Sequence, residues 1–164
     1  MSLKQMTPFG IRLFLMLLFL GFLVPNYSAF SETADINTVT SLGLNGYDPV
    51  SYFPESDGKV MRGNSYYSYT YNGTVYEFSS EANLDSFKID PERYLPKYDG
   101  WCATSMASGK KISSRPTLFD VENGKLYLFS KLTAQLAWNS KKDELISRAD
   151  ENWKKMQIGE KSST

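Results

Sequence analysis

Histidine is absent from the 164-residue chain and cysteine occurs once, at Cys102. These two shortages exclude Ser-His-Asp and Cys-His nucleophile arrangements, histidine metal ligation and any disulfide within the chain. Neither sign of charge is in excess, with 18 basic residues against 18 acidic ones. The basic surface that phosphate-backbone binding requires is therefore lacking, and nucleic acid is not expected as a partner. The sequence also carries no Gly-rich nucleotide fingerprint and no paired-carboxylate arrangement. A chain of this length holds one globular domain at most.

One long apolar run is present, the twelve residues Leu13–Val24, preceded by Lys4 and Arg12 and followed by Pro25 and the small residues Ser28, Ala29 and Ser31. This is the pattern of a secretory signal peptide over residues 1–31, and it predicts a periplasmic or secreted protein. The block is shorter than the roughly 20 residues a membrane-spanning helix needs. Counting from Phe9 lengthens it, so an uncleaved anchor is the alternative; the mature chain is expected to hold no membrane span. Residues 32–41 read as a flexible leader and 158–164 as a disordered tail, which leaves a folded domain over 42–157.

A repeat stands out within that domain. Asn72-Gly73-Thr74-Val75-Tyr76-Glu77-Phe78-Ser79-Ser80 recurs 51 residues later as Asn123-Gly124-Lys125-Leu126-Tyr127-Leu128-Phe129-Ser130-Lys131. Each Asn-Gly pair lies between alternating apolar runs, the signal for a two-residue hairpin. The expected pairs are Tyr71 with Thr74, Tyr69 with Tyr76 and Tyr67 with Phe78, then Val121 with Leu126, Phe119 with Leu128 and Leu118 with Phe129. Ser80 and Ser130 are placed to cap the helices that follow, and Phe87 and Trp138 fall at matching positions in them. Ile146, Ala149, Trp153 and Met156 form one apolar stripe on a last helix, with Trp153 expected on the sheet. The predicted fold is α+β, two ββα units with an antiparallel sheet packed by helices. The tyrosine-rich face of the first hairpin is either core or a binding wall.

With these elements in place, the chain resembles a known family. Tyr76-Glu77-Phe78-Ser79-Ser80, then Phe87, then Asp90-Pro91-Glu92-Arg93-Tyr94 is similar to the YHS domain, whose signature is an aromatic strand, a short helix ending in Phe and an Asp-Pro-x-x-Tyr turn. The wider set, Gly46-Tyr47-Asp48-Pro49-Val50-Ser51-Tyr52-Phe53, Gly100-Trp101-Cys102-Ala103, Gly109-Lys110-Lys111 and Ala149-Asp150-Glu151-Asn152-Trp153, resembles the exported YHS-domain proteins over about 42–155. The resemblance implies metal handling through paired cysteines. In this chain Ser79 and Asn83 occupy the positions those cysteines would hold.

The residues that remain able to do chemistry are few. Cys102 and Met106 share a face if 102–106 is helical, and a thiolate with a thioether suits a soft metal ion such as copper in its monovalent state. The alternatives are a buried structural cysteine, a redox-active or sensing thiol, and an intermolecular disulfide. Asp48, held extended by Pro49, either closes an Asx turn or directs its carboxylate into a cleft with Trp101 and Cys102, where Tyr47 could add a hydroxyl. Gly109-Lys110-Lys111 with Arg115 is a basic cluster, either a solvated loop or an anion site, that matches no phosphate loop. The expectation is an exported soluble binding module for a metal ion or small ligand, with Tyr47, Asp48, Trp101, Cys102 and Met106 at its site. A thiol sensor and a protein-interaction domain are the alternatives.

Overall fold

Each Asn-Gly pair turns a tight hairpin, because both residues adopt positive φ: 48° and 75° at Asn72 and Gly73, 50° and 68° at Asn123 and Gly124. The computed structural model describes residues 41–56 and 58–161. The signal-peptide expectation and most of the leader lie outside the described residues.

The strands are β1 (Ser41–Leu42), β2 (Asn64–Tyr71), β3 (Thr74–Phe78), β4 (Arg115–Glu122) and β5 (Lys125–Phe129). Helices α1 (Glu81–Ile89) and α2 (Pro91–Tyr94) follow the first hairpin. The four-residue α3 (Ala103–Met106) precedes the second, and α4 (Leu132–Ser140) and α5 (Lys142–Lys161) follow it. The α+β class holds. The expected single antiparallel sheet does not: β1, β3 and β2 form one sheet with β1 parallel to β3, and β4 with β5 forms a second. The reason lies at the strand edges. β1 occupies the free edge of β3, and single bridges from Pro96 to Leu126 and from Cys102 to Leu128 occupy that of β5. The hairpins therefore do not join through β3 and β5, and β2 and β4 are the outer strands of their sheets.

Register follows expectation near the turns and departs from it further out. Tyr71 pairs with Thr74 and Tyr69 with Tyr76, but Phe78 faces Asn64 instead of Tyr67. Val121 pairs with Leu126 and Phe119 with Leu128, but Phe129 faces Arg115 instead of Leu118. A bulge of the outer strand causes both slips. In the first hairpin the chain before the bulge passes so close to β3 that a Cβ on Gly63 would collide with the Glu77 backbone.

Strand β5 is buried on both faces, and its period of two divides the core. Leu126 and Leu128 enter one cluster with Val50, Tyr52, Phe53, Phe78, Phe87 and Tyr94. Tyr127 and Phe129 enter the other with Tyr98, Cys102, Met106, Trp138 and Ala149. Ser80 caps α1, its hydroxyl accepting from Asn83 N–H at 3.2 Å. Ser130 does not cap α4. The cap position is Lys131, whose ammonium has no acceptor and makes no side-chain bond, and the Ser130 hydroxyl bonds Cys102 instead. The stripe of α5 packs on the second cluster as expected, a cluster that includes Tyr127 and Phe129 of β5, and Trp153 also lies 6.2 Å from the Tyr98 ring and beside Lys111. Helix α5 continues to Lys161, past residue 158 where the tail was expected to begin. Among the described residues no helix is long and apolar enough to cross a membrane.

Phe87 is fully buried, with the rings of Tyr69, Tyr71, Tyr76, Phe78 and Tyr94 between 5.1 and 6.4 Å away. Phe87→Ala is expected to cost about 3–5 kcal/mol in urea unfolding. A loss below about 1 kcal/mol would show that this ring is not the anchor of the first cluster.

Candidate functional site

Two turns of unusual backbone frame the site. Leu44, Asn45 and Gly46 have φ of 51°, 51° and 78°, and Tyr98, Asp99 and Gly100 have 59°, 50° and 79°. Consecutive left-handed residues other than glycine are costly, and such strain gathers at functional sites. Each turn is closed by the N–H that follows it, Tyr47 to Leu44 at 3.1 Å and Trp101 to Tyr98 at 3.0 Å. The next residue, Asp48 in one case and Cys102 in the other, is buried.

Asp48 makes the expected Asx turn, its Oδ1 accepting from Val50 N–H at 2.8 Å. Its Oδ2 accepts three further bonds, from Ser79 N–H at 2.9 Å, the Ser79 hydroxyl at 2.6 Å and Asn83 Nδ2 at 2.6 Å. The two positions at which the resemblance places cysteines thus converge on one carboxylate. All four partners are donors. The arrangement satisfies an anion and offers a cation little, since the carboxylate oxygens are already occupied.

Cys102 is fully buried at the entry to α3, and its carbonyl accepts from Met106 N–H at 2.9 Å. Both sulfur residues lie in the second cluster. Burial pushes the Cys102 thiol up, but hydrogen bonds from the hydroxyls and backbone N–H groups of Ser105 and Ser130 outweigh it, and the thiol lies below its ordinary value. This too is a nest for an anion. Among the described residues no group of three His, Cys, Asp or Glu could hold a metal ion.

The five expected site residues are divided between the two halves. Asp48 is bonded to the first hairpin and α1. Cys102 and Met106 are packed in the second cluster, and no hydrogen bond joins Asp48 to Cys102 among the described residues. Tyr47 is half-buried beneath Arg62, whose guanidinium carbon is 4.5 Å from the ring centre. Trp101 lines a cleft of 920 Å³ into which both left-handed turns project, through Leu44, Asn45 and Asp99, beside Tyr76 and Trp153. Neither Asp48 nor Cys102 lines that cleft. The turn residues Leu44, Asn45, Tyr98 and Asp99 were not singled out from the sequence, although the pairs Asn45-Gly46 and Asp99-Gly100 carry the usual turn signal.

These elements define an α+β domain with a buried carboxylate where strand, helix and turn meet. The family model described as YHS domain matches residues 55–98. That segment contains the first hairpin, Ser79, Asn83, Phe87 and the Asp90-Pro91 turn, and it ends before Trp101 and Cys102. No curated protein and no solved structure matches the chain.

Asp48→Asn removes the charge and sets a donor amide against donors. A loss of about 3 kcal/mol in urea unfolding is expected, and a loss below about 1 kcal/mol would contradict the bonding described. For Cys102 the native value is depressed. Its contribution to stability is therefore complete above the unfolded value, about 8.5, and is lost as pH falls through the native value. The stability of the wild type relative to Cys102→Ala is expected to rise as pH is raised through that window. A flat difference would show that the thiol keeps its ordinary value.

Proposed function

We propose that the protein is an exported binding module that takes a small organic ligand in the cleft beside Trp101, and that its sulfur residues and its YHS positions hold no metal. The observation that carries this is the cleft itself. It is bounded by two strained turns and walled by Tyr76, Trp101 and Trp153, with Asn45, Asp99 and Lys97 as polar groups at its edge. Aromatic planes with a few placed polar groups suit a ligand that has a flat or apolar face and polar substituents. Export rests on the pattern of residues 1–31, and the periplasm or the medium is the compartment that pattern favours. Metal handling is what the YHS resemblance suggests; the donors gathered on Asp48 and Cys102 argue for hydrogen-bonded anions at those places.

The test is native mass spectrometry with metal analysis on protein purified from its exporting host. An organic mass carried by the wild type and lost in Trp101→Ala is expected. A metal ion bound at one per chain would contradict the reading.

The domain also reads as one unit used twice. The hairpins, their bulges and the left-handed turns recur in the same order. Asp48 N–H bonds Met61 at 3.0 Å as Cys102 N–H bonds Ile112 at 2.9 Å, and Ser79 serves Asp48 as Ser130 serves Cys102. On this reading Cys102 is the counterpart of Asp48, a structural acceptor, and the cleft lies between corresponding turns. Cys102→Asp should then cost less than about 2 kcal/mol, whereas a carboxylate buried without partners costs several. A loss of several kcal/mol in urea unfolding would separate the two positions.

A second reading, thiol sensing, has the lowered value of Cys102 in its favour and its full burial against it. Native labelling by iodoacetamide at the rate of the unfolded chain would support it, and labelling seen only on unfolding would remove it.

A further inference from the structure

The basic cluster of the sequence is the part of the molecule that the reading above does not use. Lys111 leaves it, its ammonium lying 5.4 Å from the centre of the Trp153 ring. Lys110 and Arg115 instead meet Lys131 around a second cavity, of 620 Å³, which shares no lining residue with the Trp101 cleft. The three cations come from separate segments: the loop after α3, the start of β4 and the entry to α4.

We propose that this cavity binds a phosphate-type oxyanion, free or carried on a small organic molecule. No acidic residue lines it. Among the described residues Lys110, Arg115 and Lys131 enter no ion pair, as is also true of Lys59, Arg62, Lys125, Lys141 and Lys154, but these three line one cavity. Three exposed cations line one space, and a multiply charged anion among them would offset their mutual repulsion. The hydroxyls of Ser108 and Thr133 line the same space and supply neutral donors. Ile112 and Ala137 add an apolar wall that inorganic phosphate would not use and an organic phosphate ester would.

Lys131 gives this site a local signature. It stands at the entry to α4, where the helix dipole already favours negative charge, and it makes no capping bond. At the corresponding entry to α1, Ser80 does make one. A cation at a helix N-terminus is a departure from local preference, and a partner anion accounts for it.

The experiment follows backbone amide shifts of Ser108, Lys110, Thr133 and Ala134 while the protein is titrated with sodium phosphate, with phenyl phosphate, and with sodium chloride at matched ionic strength. Saturable shifts with the two phosphates and not with chloride are expected. Binding should weaken about tenfold in Arg115→Ala and in Lys131→Ser, the loss of one charge-assisted contact each. Lys131→Ser places a capping residue at that position, so its fold is expected to persist, and an unchanged dispersion of the remaining amides checks this. Saturation at lower concentration by phenyl phosphate identifies an ester as the better ligand, and equal saturation identifies the free anion. Shifts that grow linearly and coincide with the chloride series overturn the proposal. So does wild-type affinity in the Arg115→Ala, Lys131→Ser double variant.

Discussion

A carboxylate buried without a cation holds the first half of this domain together. Removing Asp48 from water costs several kcal/mol, and the fold meets that cost with four donors between 2.6 and 2.9 Å. Hydrogen bonds to charged groups contribute roughly 1.5–3 kcal/mol each, so the set is sufficient and the loss of any member is felt. The bonds tie the turn at 43–46, the end of β3 and the first turn of α1 to one point. From that point Val50, Tyr52 and Phe53 enter the first cluster. Tyr52 then reaches the second hairpin, with its hydroxyl on the Pro116 carbonyl at 3.0 Å and its ring 5.0 Å from Phe119.

That contact ties the first half to the second hairpin within the first cluster, and the two-faced burial of β5 joins the clusters on either side of the strand. Leu126 and Leu128 serve one cluster, Tyr127 and Phe129 the other. The left-handed turns are fixed from behind by Asp48 in one case and Cys102 in the other, and they present their exposed sides to the Trp101 cleft. A strained backbone held from its buried side is a preorganised wall, which lowers the ordering cost when a ligand enters.

Local chemistry was legible in the sequence where it acts over a few residues. The Asn-Gly pairs named both hairpins, Ser80 named the start of α1, and the spacing of Ile146, Ala149, Trp153 and Met156 named the buried side of α5. What depends on distant partners was not legible. The bulges that move Phe78 onto Asn64 and Phe129 onto Arg115 lie in the outer strands, and the division into two sheets goes with segments distant in sequence that lie along β3 and β5. Asp48 read as either an Asx turn or a cleft carboxylate; the Asx bond forms and the cleft does not include it. Its bonds to Ser79 and Asn83 span 31 and 35 residues, and no periodicity encodes them. Ser130 showed the same limit: it was expected to cap α4, but the cap position falls at Lys131 and Ser130 serves a buried sulfur.

Ser79 and Asn83 stand where the resemblance places a thiol pair, and both donate to Asp48. Hydrogen bonds hold this junction, and on the proposed reading no metal ion is bound there. Thermal unfolding in chelator, compared with unfolding in the presence of added copper(I) or zinc, tests this most directly, since any ion bound by the native state raises its stability by mass action. The account predicts the same midpoint in all three conditions. A midpoint that rises with metal and falls with chelator would contradict it.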